Sequence, residues 1–131
     1  SALPDVTLVD VNKKQVKIKD LLKQKTIIYF WTKQAESHAI YSHKKVDELK
    51  AKYPDIQFIA VNIHNSQEDW TKEIKEKNFT NSIELRAPDF EELKNKWVIN
   101  KVYRTILINK NGSINNAFLS MFDANFERYL K

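Results

Sequence analysis

Two apolar runs constrain this chain more than any other feature: TIIYFW at residues 26–31 and IQFIAVNI at 56–63. Each is nearly continuous in apolar residues rather than alternating, which is the pattern of a strand buried on both faces of a sheet. Between them the period changes. Ala39, Ile40, Val46, Leu49 and Tyr53 recur at the spacings of one helical stripe, and Pro54 stops the helix. Strand, long helix, strand in that order predicts a parallel pair joined by a right-handed crossover.

The flanking segments fill in a mixed α/β order. VTLVDVNKKQVKI (6–18) reads as two short strands around an Asn-Lys-Lys turn, and KDLLKQK as one helical turn offering Leu21 and Leu22 to the core. SQEDWTKEIKEK opens a helix with Ser66 as cap and Asp69 three residues on. SIELRA reads as a short strand and PDFEELKNKWV as a helix with Pro88 near its first turn. TILIN and SINNAFL form a hairpin around Gly112, the only glycine. FDANFERYLK closes the chain as an amphipathic helix with Phe122, Phe126, Tyr129 and Leu130 on one side. With no repeat or linker, residues 1–131 are expected to form one domain, which fits the C-terminal part of a longer protein.

Charge and composition exclude several functions. The net charge is +5, but only Arg86, Arg104 and Arg128 among the 22 basic residues are arginines. The lysines alternate with acids through KVDELKAK and TKEIKEK, as on a solvated helix surface. Nucleic-acid sites need clustered cations and arginine forks, so no nucleic-acid partner is expected. No apolar run reaches the roughly 18 residues of a membrane span. No leader is visible at Ser1, which fits a cytosolic protein or a mature fragment. Cysteine is absent, which removes disulfides, thiolate nucleophiles and cysteine-bound zinc from this chain.

The order and spacing of these segments resemble those of the TlpA/ResA-like thiol-disulfide oxidoreductases, thioredoxin-fold proteins of bacterial envelopes that share their layout with peroxiredoxins. Leu3-Pro4-Asp5 before VTLVDVNKKQVKIKDLL resembles that family's opening. TIIYFWTKQ resembles its strand ending in Phe-Trp, and FIAVNI followed by a helix with Trp70, then TILINKNGSI, resemble its later strands and hairpin. The resemblance implies a thioredoxin-like fold, a central mixed β-sheet flanked by helices, here with an N-terminal β-hairpin extension. It also implies a bacterial periplasm or cell envelope. On this alignment Ala35 and His38 stand where the family has its two cysteines, with Glu36 and Ser37 between them. Tyr103 stands at its cis-proline. Disulfide exchange requires a thiolate attacking sulfur, which neither a methyl group nor an imidazole supplies. A cis bond before a non-proline costs about 2.5–4 kcal/mol, so Val102–Tyr103 is expected to be trans.

His38 is the most suggestive single residue, because a helix N-terminus disfavours the imidazolium and leaves a neutral ring able to act as base or ligand. It lacks an evident partner. Glu36 suits the helix dipole without further explanation. His38 and His43 are five apart and do not share a face as i, i+4 ligands would, while His64 follows a different strand. No metal or cofactor is expected. Trp31, Trp70 and Trp97 end or lie within apolar segments and read as packing residues. The resemblance also implies a groove that takes extended peptides, which would be built from Trp31, Glu36, His38, Val102, Tyr103 and Arg104. Three readings stay open: a non-catalytic protein- or peptide-binding module, an enzyme with His38-based or metal-assisted chemistry at the same turn, and a protein that supports a redox partner by docking to it.

Overall fold

The computed structural model describes residues 1–99 and 101–131. The first of the two apolar runs is β3 (Thr26–Trp31), in which every residue is buried, and the second is β4 (Gln57–Asn62). They are parallel, in register from Thr26 opposite Gln57 to Trp31 opposite Asn62, and helix α1 (Glu36–Lys52) connects them. Side chains alternate across a strand. Ile28 and Phe30 therefore enter one core with Ile59 and Val61, and Ile27, Tyr29 and Trp31 enter the other with Phe58 and Ala60.

The remaining strands complete a seven-stranded mixed sheet. The N-terminal hairpin is β1 (Leu8–Val9) and β2 (Gln15–Val16), and a 3₁₀ turn follows at Ile18–Leu21. Helix α2 (Gln67–Lys77) leads to β5 (Ile83–Arg86), helix α3 (Phe90–Trp97) follows, and β6 (Thr105–Ile108) and β7 (Ile114–Leu119) form the last hairpin. The strand order is β2-β1-β5-β4-β3-β6-β7. Strands β3, β4 and β5 run parallel, whereas β6 is antiparallel to β3 and β1 to β5. The fold is thioredoxin-like, with the hairpin β1–β2 added at one sheet edge.

Local chemistry sets the element ends. Ser66 caps α2, its side chain accepting from Asp69 N at 3.1 Å. Asp89 caps α3 in the same way, accepting from Glu92 N, so Pro88 precedes the helix rather than entering its first turn. Gly112 has φ +87°, and a Cβ there would meet Leu22 O at an ordinary 3.6 Å. Backbone conformation, not space, demands glycine in that turn. The N-terminal segment is tied to α3: Trp97 Nε1 donates to Pro4 O at 2.7 Å, and Thr7 N donates to the Glu92 carboxylate.

Two expectations need correction. The buried stripe of α1 is Ala39, Ser42, His43, Val46 and Leu49, while Ile40 is 38% exposed. An apolar-only reading of the pattern passed over His43, which holds the position between Ala39 and Val46. At the C-terminus, Phe126–Leu130 forms a 3₁₀ helix, with Asp123 N on Ser120 O and Phe126 N on Asp123 O. This tighter winding turns Phe126 and Leu130 inward and leaves Phe122 and Tyr129 exposed.

Strand β7 forms one edge of the sheet, and several of its backbone groups are already occupied. Ile114 N donates to Ser1 O, Ala117 O accepts from Arg104 Nη1, and Phe118 N donates to Asn116 Oδ1. Such blocking discourages a further strand from adding there.

Candidate functional site

The candidate site lies at the carboxyl end of β3, the crevice where α/β sheets commonly bind ligands. Beyond Trp31 the chain turns with Ala35 N on Thr32 O at 3.2 Å, and Ala35 becomes the N-cap of α1. A methyl group cannot accept a hydrogen bond, so α1 starts without a side-chain cap. The turn is held from outside instead. Asn65, in the loop after β4, accepts from Lys33 N at 2.9 Å and from Asn62 Nδ2 at 2.8 Å, and its Nδ2 donates to Gln34 Oε1 at 2.8 Å. Glu36 is exposed and pairs with Lys77 of α2 at 3.8 Å; Ser37 is exposed.

His38 projects from the first turn of α1 and is half-buried. Its Nε2 lies 3.3 Å from Ser42 Oγ, and its Nδ1 is shielded from solvent without a hydrogen-bond partner. Burial holds its pKa below the usual histidine value, and neighbouring His43 acts in the same direction. The ring is therefore neutral near pH 7, in keeping with its place at a helix N-terminus. Tyr103 meets it edge-on with centroids 5.2 Å apart, and Phe122 at 5.9 Å. Tyr103 is 60% exposed and Phe122 46%. The Val102–Tyr103 bond is trans, Val102 packs on the core that contains Phe30, and Arg104 lies 4.4 Å above the Phe118 ring.

The structure brings Glu36, His38 and Tyr103 to one region and adds Phe122. Trp31 is not part of that surface: it is fully buried beneath α1. Its Nε1 donates to Glu84 Oε1 at 3.0 Å, and Glu84 Oε2 lies 2.8 Å from His43 Nε2. The His43 and Glu84 side chains are only 5% and 6% exposed. Burial raises the Glu84 pKa, partly offset by its contacts with His43 and Trp31. Sequence reasoning missed Glu84, because SIELRA on its own gives no sign that its acid faces inward. Asn65 was also missed, although the polar run after FIAVNI marks a loop able to hold the turn.

His64 is exposed in a left-handed conformation (φ +65°), its ring 4.2 Å from that of Phe90. Among the described residues, no three His, Asp or Glu side chains converge as a ligand set. No helix among the described residues is long and apolar enough to cross a membrane.

No curated protein matches the chain. Among solved structures it is similar to a domain of a possible thiol-disulfide isomerase from Cytophaga hutchinsonii, with TM-score 0.82 and 23% identity, over 99% of this chain and 88% of that one. It is also similar to the thioredoxin domain of a thiol-disulfide oxidoreductase from Bacteroides vulgatus, with TM-score 0.78 and 19% identity, over 100% and 96% of the two chains. A thiol:disulfide interchange protein from Bacteroides sp. gives TM-score 0.66 and 22% identity, over 87% and 76%. At such identities these structures show the fold alone. The profile of the family described as thioredoxin-like matches residues 23–114, from before β3 to the start of β7. The chain therefore belongs to the thioredoxin-like family, as a stretch of that fold without any cysteine.

Proposed function

We propose that this domain binds a protein or peptide at the start of α1 and carries out no thiol-disulfide chemistry. The observation that carries the reading is the aromatic surface there. Tyr103 and Phe122 present exposed rings against a neutral His38, at a turn where the resemblance to TlpA/ResA-like proteins implies the family's cysteines. Exposed aromatic groups clustered at one place favour partner contact, since large rings give contact area at low entropic cost. Glu36, Val102 and Arg104 flank these residues along the chain. The resemblance to TlpA/ResA-like proteins supports a place in a bacterial cell envelope, as one domain of a longer protein.

Chemistry centred on His38 is the second reading, and the geometry favours it less. A catalytic imidazole needs an orienting partner, and Nδ1 has none; the hydroxyl on Nε2 belongs to a fully buried serine. Purified protein with stoichiometric metal that is lost in His38→Ala would restore this reading.

A photo-cross-linking residue at Tyr103, compared with one at Lys75 on α2, tests the binding surface. A defined adduct in envelope extract is expected from position 103 only, weakened by Phe122→Ala. The same adducts from both positions, or none from position 103, would contradict it.

A further inference from the structure

Beneath the proposed surface, His43 on α1, Glu84 on β5 and Trp31 on β3 form a closed polar cluster. His43 Nδ1 lies 2.7 Å from Ala39 O, a carbonyl that can only accept, so Nδ1 carries a hydrogen. Trp31 Nε1, which can only donate, occupies Glu84 Oε1. One contact remains, His43 Nε2 to Glu84 Oε2 at 2.8 Å, and it needs one hydrogen. The imidazole is boxed in: Phe79 stacks on it at 3.5 Å with planes 2° apart, and Tyr29 and Trp31 meet it edge-on at 5.4 and 5.3 Å.

We infer that Glu84 and His43 share a single proton across this contact and thereby form a latch that holds α1 to the sheet. With that proton present, as imidazolium with carboxylate or as imidazole with carboxylic acid, every donor in the cluster has an acceptor. A second proton sets two donors face to face and leaves a buried cation without a counter-charge. Removal of the proton sets two lone pairs face to face. Moving the remaining imidazole hydrogen to Nε2 would relieve that repulsion only by turning a bare Nδ1 towards Ala39 O. The stacked and edge-on rings prevent the imidazole from swinging away, so either change strains the seat of α1.

The surrounding groups leave this proton count to the pair. From β3, Tyr29 bonds Ser82 Oγ at 2.6 Å, and burial pushes its own pKa well up, so it stays neutral. From α1, His38 is held neutral near pH 7 as described, and Asp47 acts on Tyr29. From the segment before β5, Asn81 Nδ2 reaches the backbone carbonyl of His43 at 3.5 Å, while Lys50 Nζ is bonded to Asn81 O. Glu36 and Lys77 pair with each other at the surface. Among the described residues, no other charged side chain hydrogen-bonds to either member of the pair.

The latch is closed over a band of pH and loosens on both sides of it. Nuclear magnetic resonance of the whole chain from about pH 4 to about pH 10 brackets the range in which carboxylates and imidazoles titrate. The Trp31 indole N–H signal is expected to move at both ends of the band. Amides of α1, corrected for intrinsic exchange, are expected to lose protection at least tenfold at both ends relative to those of β3 and β4. In Glu84→Gln the new amide offers a fixed N–H to Nε2 and a carbonyl to Trp31, so the alkaline change should vanish and the acid change remain. An indole signal that stays still throughout in the unaltered protein would overturn the latch. Persistence of the alkaline change in Glu84→Gln would overturn it too. Should that variant fail to fold, the titration of the unaltered protein decides alone.

Discussion

His38 and His43 stand five residues apart on α1, one with a ring nitrogen buried against nothing, the other with both nitrogens bonded. His38 lies among exposed aromatic rings, whereas His43 faces the sheet among buried ones. The contrast separates two layers of the same end of the molecule. The inner layer is fully partnered and fixes where α1 sits; the outer layer is loosely satisfied and open to a partner. The histidine nearer the surface draws attention first, yet the more constrained one lies a turn deeper.

The largest expected effect comes from breaking the inner layer. Glu84→Ala leaves the Trp31 N–H and the His43 ring without their acceptor inside the core, and removal of one member of a buried pair costs about 3–5 kcal/mol. Denaturant unfolding followed by Trp fluorescence measures the loss. A change below about 1 kcal/mol would mean that Glu84 reaches water and that the contrast fails.

Next comes the acid response of the outer layer. The pKa of His38 is lowered in the folded state, so as pH falls the unfolded chain takes up this proton first. The corresponding stability is present above the unfolded value of about 6.5 and is lost as pH falls from there through the folded value. Unfolding curves at a series of pH values should therefore show a shallower slope in His38→Gln than in the unaltered protein. Equal slopes would assign the acid response elsewhere.

The smallest stability effect belongs to the surface itself. Tyr103→Ala with Phe122→Ala removes exposed rings that fill no core, and stability should change by no more than about 1 kcal/mol. Thermal unfolding checks this, and a large loss would turn the proposed surface into a structural one.

Much of the fold was legible in the sequence because burial on both faces leaves a plain mark. TIIYFW and FIAVNI have no alternation, and the parallel pair followed from the helix between them. The N-terminal hairpin, the cap at Ser66 and the turn at Gly112 were legible from local chemistry alone. Less was legible where polarity and burial part company. His43 and Glu84 look like surface residues one at a time, and only the meeting of α1 with β5 pairs them. Trp31, included in the expected groove, ends an apolar strand and lies wholly inside. The C-terminal stripe assumed 3.6 residues per turn, and the tighter winding exposed Phe122 beside His38, a contact no sequence pattern showed.

We propose that this thioredoxin-like scaffold holds Ala35 and His38 at the positions where TlpA/ResA-like proteins carry their two cysteines. Ala35→Cys combined with His38→Cys tests it most directly, since positions i and i+3 at a helix start lie within the Cα separation of about 4.4–6.8 Å that a disulfide spans. Mild oxidation of the double variant, followed by mass analysis without reductant, should show monomer that has lost two hydrogens and has no free thiol. Two free thiols persisting in a folded monomer, or cross-linked dimers only, would contradict the placement of the turn.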